Sequence, residues 1–319
     1  MIGKYRRVVR VCRALALLTG VALAASTAHA ESGYAVDKPR FFEWYIDDDE
    51  FGGFSGILVE DGGRTLSALS DHGTLFTGTI ERTDGAIFSV SDAKAHPLND
   101  PGRPFTPFQR DAEGLARAPR GELIVIFESY TRVEKYAQLG QRARSLHHWE
   151  AFKELFGNES FEAGSYLPDG RLVVIVEGSG KGDTTDAYTY DEIFWDGPYK
   201  FPISDGFAIS GADLGPDGRL YVLDRKFSIT RGFKSRIRSF AFDGEEMTER
   251  TLFEGKLGNA EGIAVWENDA GEATMTLITD NGFGKREKTY LIEFDLRDGK
   301  SWQERTLKNP FPARGIPIQ

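Results

Sequence analysis

Carboxylates recur at matched places along this chain, and cationic residues break their pattern. Glu113, Glu162 and Glu261 each stand directly before Gly or Ala and a short run of residues, with Ser55 and Ser210 in the corresponding places of two further segments. Each segment closes on an acid: Asp71, Glu128, Glu177, Asp224 and Asp280. Glutamates gathered around one point repel one another unless protons or cations balance them. Hard oxygen donors of this kind favour Ca²⁺ or Mg²⁺ over softer metals. Glu113, Glu162 and Glu261, with Asp224 and Asp280 nearby, are therefore the candidate metal ligands, and Ca²⁺ is the candidate cofactor. The pattern breaks at Asp224-Arg225-Lys226 and at Asp71-His72. A cation pair beside carboxylates can hold a phosphate or another oxyanion while a metal polarises it, so Arg225, Lys226 and His72 are the candidate substrate contacts. No catalytic set is legible, because G-x-S-x-G is absent and Asp71-His72 near Ser55 or Ser70 only suggests one. Repeated closing acids also have a purely structural use, as turn caps that accept backbone hydrogen bonds.

Other polar groups read as surface features. His147-His148 would point to opposite sides of a strand, a poor chelate. The GSGKG stretch at 178–182 lacks the phosphate-loop spacing and reads as a hairpin tip. Asp47-Asp48-Asp49-Glu50 reads as a solvated loop, with a cation site as the sharper alternative.

The elements that must position these residues are repeated. The stretch around 159–178, ESFEAGSYLPDGRLVVIVEG, is a strand, a Pro-Asp-Gly turn and a second, apolar strand. Pro168 presets φ for the turn and Gly170 accepts positive φ, so the segment folds as a hairpin. Copies lie at 55–71, 113–128, 210–224 and 261–280. The openers Ser55, Glu113, Glu162, Ser210 and Glu261 stand 58, 49, 48 and 51 residues apart. A period of roughly 40–50 residues built from short strands is that of a four-stranded propeller blade. The expected fold is therefore all-β, a β-propeller of five or six four-stranded blades. A strand at 40–46 is placed to complete the last blade, and the proline-rich C-terminal segment is expected to pack across the ring closure. The first strand of each blade lines the axis, which would gather the openers into a ring. The small residues that follow them suit close packing there.

Residues 1–30 read as an export signal: a basic start (Lys4, Arg6, Arg7, Arg10, Arg13), an apolar stretch, and Ala28-His29-Ala30 as a cleavage site. Residues 31–319 then form a single propeller domain. The apolar stretch is too short for a good membrane span, and no second one follows. Removing five basic and no acidic side chains takes the net charge from −10 to −15, which disfavours nucleic acid and anionic membranes as partners. The single cysteine, Cys12, lies in the signal. A mature chain without cysteine suits the periplasm or secretion, and has no disulfide, thiol nucleophile or thiolate-bound metal.

The segments FSGILVEDGGRTLSALSD, DAEGLARAPRGELIVIFE, NESFEAGSYLPDGRLVVIVEGS, ISGADLGPDGRLYVLDRKFS and NAEGIAVWENDAGEATMTLITDNGF together resemble the bacterial "esterase-like activity of phytase" family. The resemblance implies a propeller fold and hydrolysis of phosphomonoesters or other esters. It also implies Ca²⁺ on the channel acids, with Arg225 and Lys226 facing phosphate. Isolated pieces, Glu-Gly on an inner strand and an Asp after a PDG hairpin, are similar to gluconolactonase-type metal lactonases. Three readings follow: a metal-dependent hydrolase of small-molecule phosphate or carboxylic esters, a metal lactonase, and a non-catalytic periplasmic binding propeller.

Overall fold

The apolar runs that end each hairpin become the second strands of five antiparallel sheets. A computed structural model describes residues 33–99, 104–146, 152, 155, 160–178, 182–284, 287–299 and 303–312. Residues 1–30, read above as an export signal, His147-His148 and residues 179–181 lie outside them. In chain order, β1 (Gly33–Val36) and β2 (Arg40–Trp44) come first. Blade one is β3 (Phe54–Glu60), β4 (Thr65–Ser70), β5 (Thr74–Thr83) and β6 (Ala86–Pro97). Blade two is β7 (Ala112–Arg117), β8 (Leu123–Phe127), β9 (Arg132–Tyr136) and β10 (Arg144–Ser145). Blade three is β11 (Phe161–Tyr166), β12 (Leu172–Val176), β13 (Thr184–Tyr190) and β14 (Trp195–Pro202). Blade four is β15 (Ala208–Leu214), β16 (Leu220–Ser228), β17 (Gly232–Asp243) and β18 (Glu246–Gly255). Blade five contributes β19 (Ala260–Glu267), β20 (Ala273–Thr279) and β21 (Thr289–Gly299), and β22 (Gln303–Lys308) follows it in the chain.

The first strands β3, β7, β11, β15 and β19 touch one another in sequence, and β19 returns to β3, so the sheets close into a five-bladed propeller. A sixth blade is not formed, because the N-terminal strands complete the fifth. β2 pairs with Thr289–Glu293 of β21, and β1 pairs with its far end from Leu296 to Gly299. The C-terminal segment departs from expectation. β22 adds a fifth strand to the outer edge of blade four, and Phe311 packs on Tyr199, Phe201 and Phe242 at the seam between blades three and four. A ring already closed by β2 leaves no edge at the closure for the C-terminal segment, whereas the edge of β18 is open to receive it.

Strand alternation explains why the second strands read as unbroken apolar runs. Leu172, Val174 and Val176 face blade two, while Val173 and Ile175 face blade four. Leu220 and Val222 likewise serve one seam, and Tyr221 and Leu223 the next. With both faces covered, these positions take apolar side chains, and each fully buried aliphatic side chain contributes roughly 1.5–3 kcal/mol over exposure. The closure seam between blades five and one is aromatic, with Trp44 stacked on Phe54 and edge-on to Phe51. Among the described residues, no helix is long and apolar enough to cross a membrane. The acidic run before blade one forms a turn, in which Asp48 Oδ1 accepts the Glu50 amide at 2.9 Å.

Candidate metal and oxyanion site at the channel mouth

Every first strand carries a register shift at the same place. Pairing with the second strand skips between Phe54 and Gly56, Ala112 and Gly114, Phe161 and Ala163, Ile209 and Gly211, and Ala260 and Gly262. The bulged residues are Ser55, Glu113, Glu162, Ser210 and Glu261, the five openers. A bulge releases one residue from the ladder and re-aims its side chain. The inner strands meet around a cavity of only about 10 Å³, lined by Ser55, Glu113 and Glu162 among others. The small residue after each opener is required by this approach. A Cβ on Gly211 would lie 2.6 Å from the Glu261 carbonyl oxygen, and one on Gly262 would lie 3.0 Å from the backbone at Gly56 and Ile57. Glu113, Glu162 and Glu261 therefore sit on innermost strands, as the repeat predicts, with Glu162 and Glu261 only 6% and 8% exposed.

A second ring lies above, formed by the residues next to the partners of the bulge. The partners are Ser70, Phe127, Val176 and Thr279, so Asp71, Glu128, Glu177 and Asp280 take this position. In blade four the partner of Ile209 is Asp224 itself, and the ring position falls to Arg225. This corrects the sequence-based assignment of Asp224 as a metal ligand. One residue of register turns its side chain to the opposite face of the strand. Asp224 is fully buried, bonded by Arg238 Nε at 2.6 Å, Arg238 Nη2 at 2.7 Å and Arg236 Nε at 2.9 Å. The signal was present in the spacing: Glu177 follows Pro168 by nine residues, and the residue nine after Pro216 is Arg225.

Arg225 spans the mouth. Its guanidinium bonds to Glu261, to Asn259 Oδ1 at 3.3 Å and to Glu177 Oε1 at 3.4 Å. Asn259 Nδ2 donates to Glu261 Oε1 at 2.7 Å and to Asp280 Oδ2 at 3.1 Å, tying the two rings together in blade five. Lys226 departs from its expected role. As the next residue on β16 it faces the other way, and its ammonium donates to the Asp205 carbonyl at 2.6 Å. His72 stands at the rim, stacked on Phe283 at 3.8 Å with Nε2 4.0 Å from Asp71.

Asp111 was missed in the sequence reading. It lies two residues before Glu113, as Asn259 lies before Glu261, so Asp-Ala-Glu and Asn-Ala-Glu were the legible sign. Among the described residues, Asp111, Glu113 and Glu128 each place a carboxylate oxygen within 4.8 Å of the others. Two oxygens bound to one Ca²⁺ at 2.3–2.6 Å can be no more than about 5 Å apart, so the triad fits such an ion. The Asp111 carboxylate stands close enough to Glu128 to raise it, a repulsion that a bound cation would relieve. Beside this triad, Asp71 Oδ1 is buried with no hydrogen-bond partner.

Burial, reinforced by neighbouring carboxylates, raises five acids at the channel mouth. It pushes Asp71 to about 7, aided by Asp280 and Asp111, and Glu128 to about 7, aided by Asp111 and Glu177. Burial also lifts Glu261 to about 7 against the opposing pull of Arg225, and raises Glu113 and Glu162 well above the usual range. The folded chain therefore holds protons that the unfolded chain releases from about pH 4 upward. Stability without divalent cations should fall as pH rises from about 4 through about 7. Glu261 alone corresponds to about 3 kcal/mol. Thermal melts in EDTA between pH 5 and pH 8 should show a declining Tm, flattened by Glu261→Gln. A Tm that rises over this range would contradict the assignment.

A five-bladed propeller with three glutamates in an inner ring at its axis, and above it a ring of four acids and one arginine, defines the class of protein. The chain belongs to the phytase-like family, described as "esterase-like activity of phytase", whose pattern matches residues 49–283. No curated protein matches the chain. Among solved structures it is similar to an α-L-arabinofuranosidase from Podospora anserina, at 9% identity and TM-score 0.50, over 84% of this chain and 98% of that one. A putative gluconolactonase matches at 13% identity and TM-score 0.45, over 84% and 96% of the two chains. Virginiamycin B lyase from Staphylococcus aureus matches at 11% identity and TM-score 0.42, over 80% and 99%.

Proposed function

We propose that this chain is an exported, metal-dependent hydrolase of phosphate or carboxylic esters, working at the channel mouth. The observation that carries the reading is the acidic triad of Asp111, Glu113 and Glu128 beside rings in which Arg225 replaces one acid. Ca²⁺ held by the triad would polarise a phosphoryl or carbonyl oxygen. Arg225 lies among Glu177, Asn259 and Glu261 and offers a guanidinium for developing negative charge on the substrate. Asp71, which lies outside the triad and is held near 7, suits proton transfer to or from water at neutral pH. Family membership supports ester chemistry without naming a substrate.

The test is a panel of phosphomonoesters, carboxylic esters and lactones with Ca²⁺ and with EDTA. Turnover should require the metal, and the preferred group should separate the esterase and lactonase readings. Arg225→Gln should lower kcat/KM by on the order of 10²-fold, with Arg225→Lys recovering part of the loss. Full activity in Arg225→Gln would remove Arg225 from the site. A Ca²⁺-loaded protein that turns over none of the panel would leave the binding-propeller reading.

A further inference from the structure

A groove of about 520 Å³ opens on the mouth face between blades four and five. Blade four builds one wall by outgrowing its neighbours. Above Arg225, residues Lys226, Phe227 and Ser228 stay paired with Lys234, Phe233 and Gly232, whereas β4, β8, β12 and β20 end just before the upper ring. The overhang sets the Phe227 and Phe233 rings 4.9 Å apart, and Phe41 meets Tyr290 edge-on at 6.0 Å within the same lining. Phe41 and Phe227 are 53% and 61% exposed. The lining lysine, Lys288, donates to Glu43 at 2.6 Å. Asn259 and Asp280 also line the groove, and both belong to the hydrogen-bonded network that holds Arg225 and Glu261. The apolar groove and the polar mouth are therefore continuous.

We propose that this groove receives an aromatic arm of the substrate, while its ester group sits at the mouth beside Arg225. This rests on the hydrolase reading above and narrows it. The volume is that of a small-molecule site, and aromatic walls favour a flat apolar ligand through area burial and ring packing. The carboxylates around the mouth repel a polyanion, so the substrate class is an aryl or arylalkyl ester with a neutral or singly charged head. A polyphosphorylated polyol does not fit it.

The probe is 2-acetonaphthone, an aryl methyl ketone shaped like an aryl ester and inert to hydrolysis, compared by calorimetry with 2-butanone. Wild-type protein should bind the naphthyl ketone at least ~10-fold more tightly, and Phe41→Ser/Phe227→Ser should abolish most of that preference at unchanged Tm. Phe227→Ser alone, at an exposed position of the hairpin, keeps the test decisive should the double variant unfold. Equal affinities in the wild type, or a preference kept in a folded variant, would overturn the proposal. Cleavage of 2-naphthyl acetate and ethyl acetate reads the hydrolase separately. Ketone preference with neither ester cleaved supports the groove and overturns the hydrolase. Cleavage of both at equal kcat/KM overturns the groove and leaves the hydrolase standing.

Discussion

Asp224→Ala is expected to lower stability by about 3 kcal/mol or more and Tm by roughly 10 °C. The substitution leaves Arg238, with no exposed surface, and Arg236, 4% exposed, without the carboxylate that both bond. Removing one partner of a buried ion pair costs more than the pair contributes, because the remaining charge stays desolvated. Arg236 keeps Asp205 at 3.0 Å and Arg238 keeps Glu249 at 3.6 Å, which holds the loss toward the lower end of the usual range. The drop should be the same in Ca²⁺ and in EDTA, because Asp224 faces away from the rings. If Asp224→Ala instead abolished the difference between those two melts, the carboxylate would have to be a ligand and the register argument would be wrong.

The second large effect is that of the metal itself. Melts in Ca²⁺ at a hundredfold excess over Kd should lie about 2.7 kcal/mol above those in EDTA at neutral pH, or roughly 5–10 °C. Repulsion among the acids of the two rings is what the ion relieves. Glu113→Gln should therefore act with opposite signs in the two conditions. Without metal it removes a buried carboxyl whose proton must be held against burial and against Glu162 and Glu261, so Tm should rise. With Ca²⁺ it deletes a ligand, so the gap between the melts should shrink by half or more. Coincident melts for the wild type would mean that protons neutralise the rings, and the metal-dependent reading would fall.

Much of the architecture was legible because the repeat is written in hairpin chemistry. Pro168-Asp169-Gly170 and Pro216-Asp217-Gly218 fix two turns, and the apolar runs behind them must be buried on both faces. The inner ring followed from these, since the openers hold one place in every copy. The outer ring was misread in one blade because it was aligned by residue type. Asp224 is an acid like Asp71 and Glu177, but counting from the turn places Arg225 in the ring. Chemical likeness is a poor guide to which face of a strand a residue occupies, whereas distance from a rigid turn decides it. Lys226 was grouped with Arg225 for the same reason and lies on the other face. The groove was not legible at all. Phe41 and Phe227 are far apart in the chain, and their approach depends on ring closure and on the extra length of the β16–β17 hairpin.

The closure of blade five by the first strands sets the order in which this chain can mature. β2 leaves the ribosome before any blade exists, yet its partner β21 is made after the other four blades, with Arg40 and Asp295 separated by 255 positions. Until β21 arrives, β2 has no edge to join, and Trp44 has no seam to fill. Blades one to four can each nucleate locally from their own hairpins, but the velcro step carries the loop-closure entropy of nearly the whole domain. A nascent chain therefore holds an open ring with two unpaired edges, the state in which sheet proteins are most exposed to intermolecular pairing. Docking of β2 converts that vulnerable arc into a closed ring, and it is the event on which the gathering of the axial acids waits.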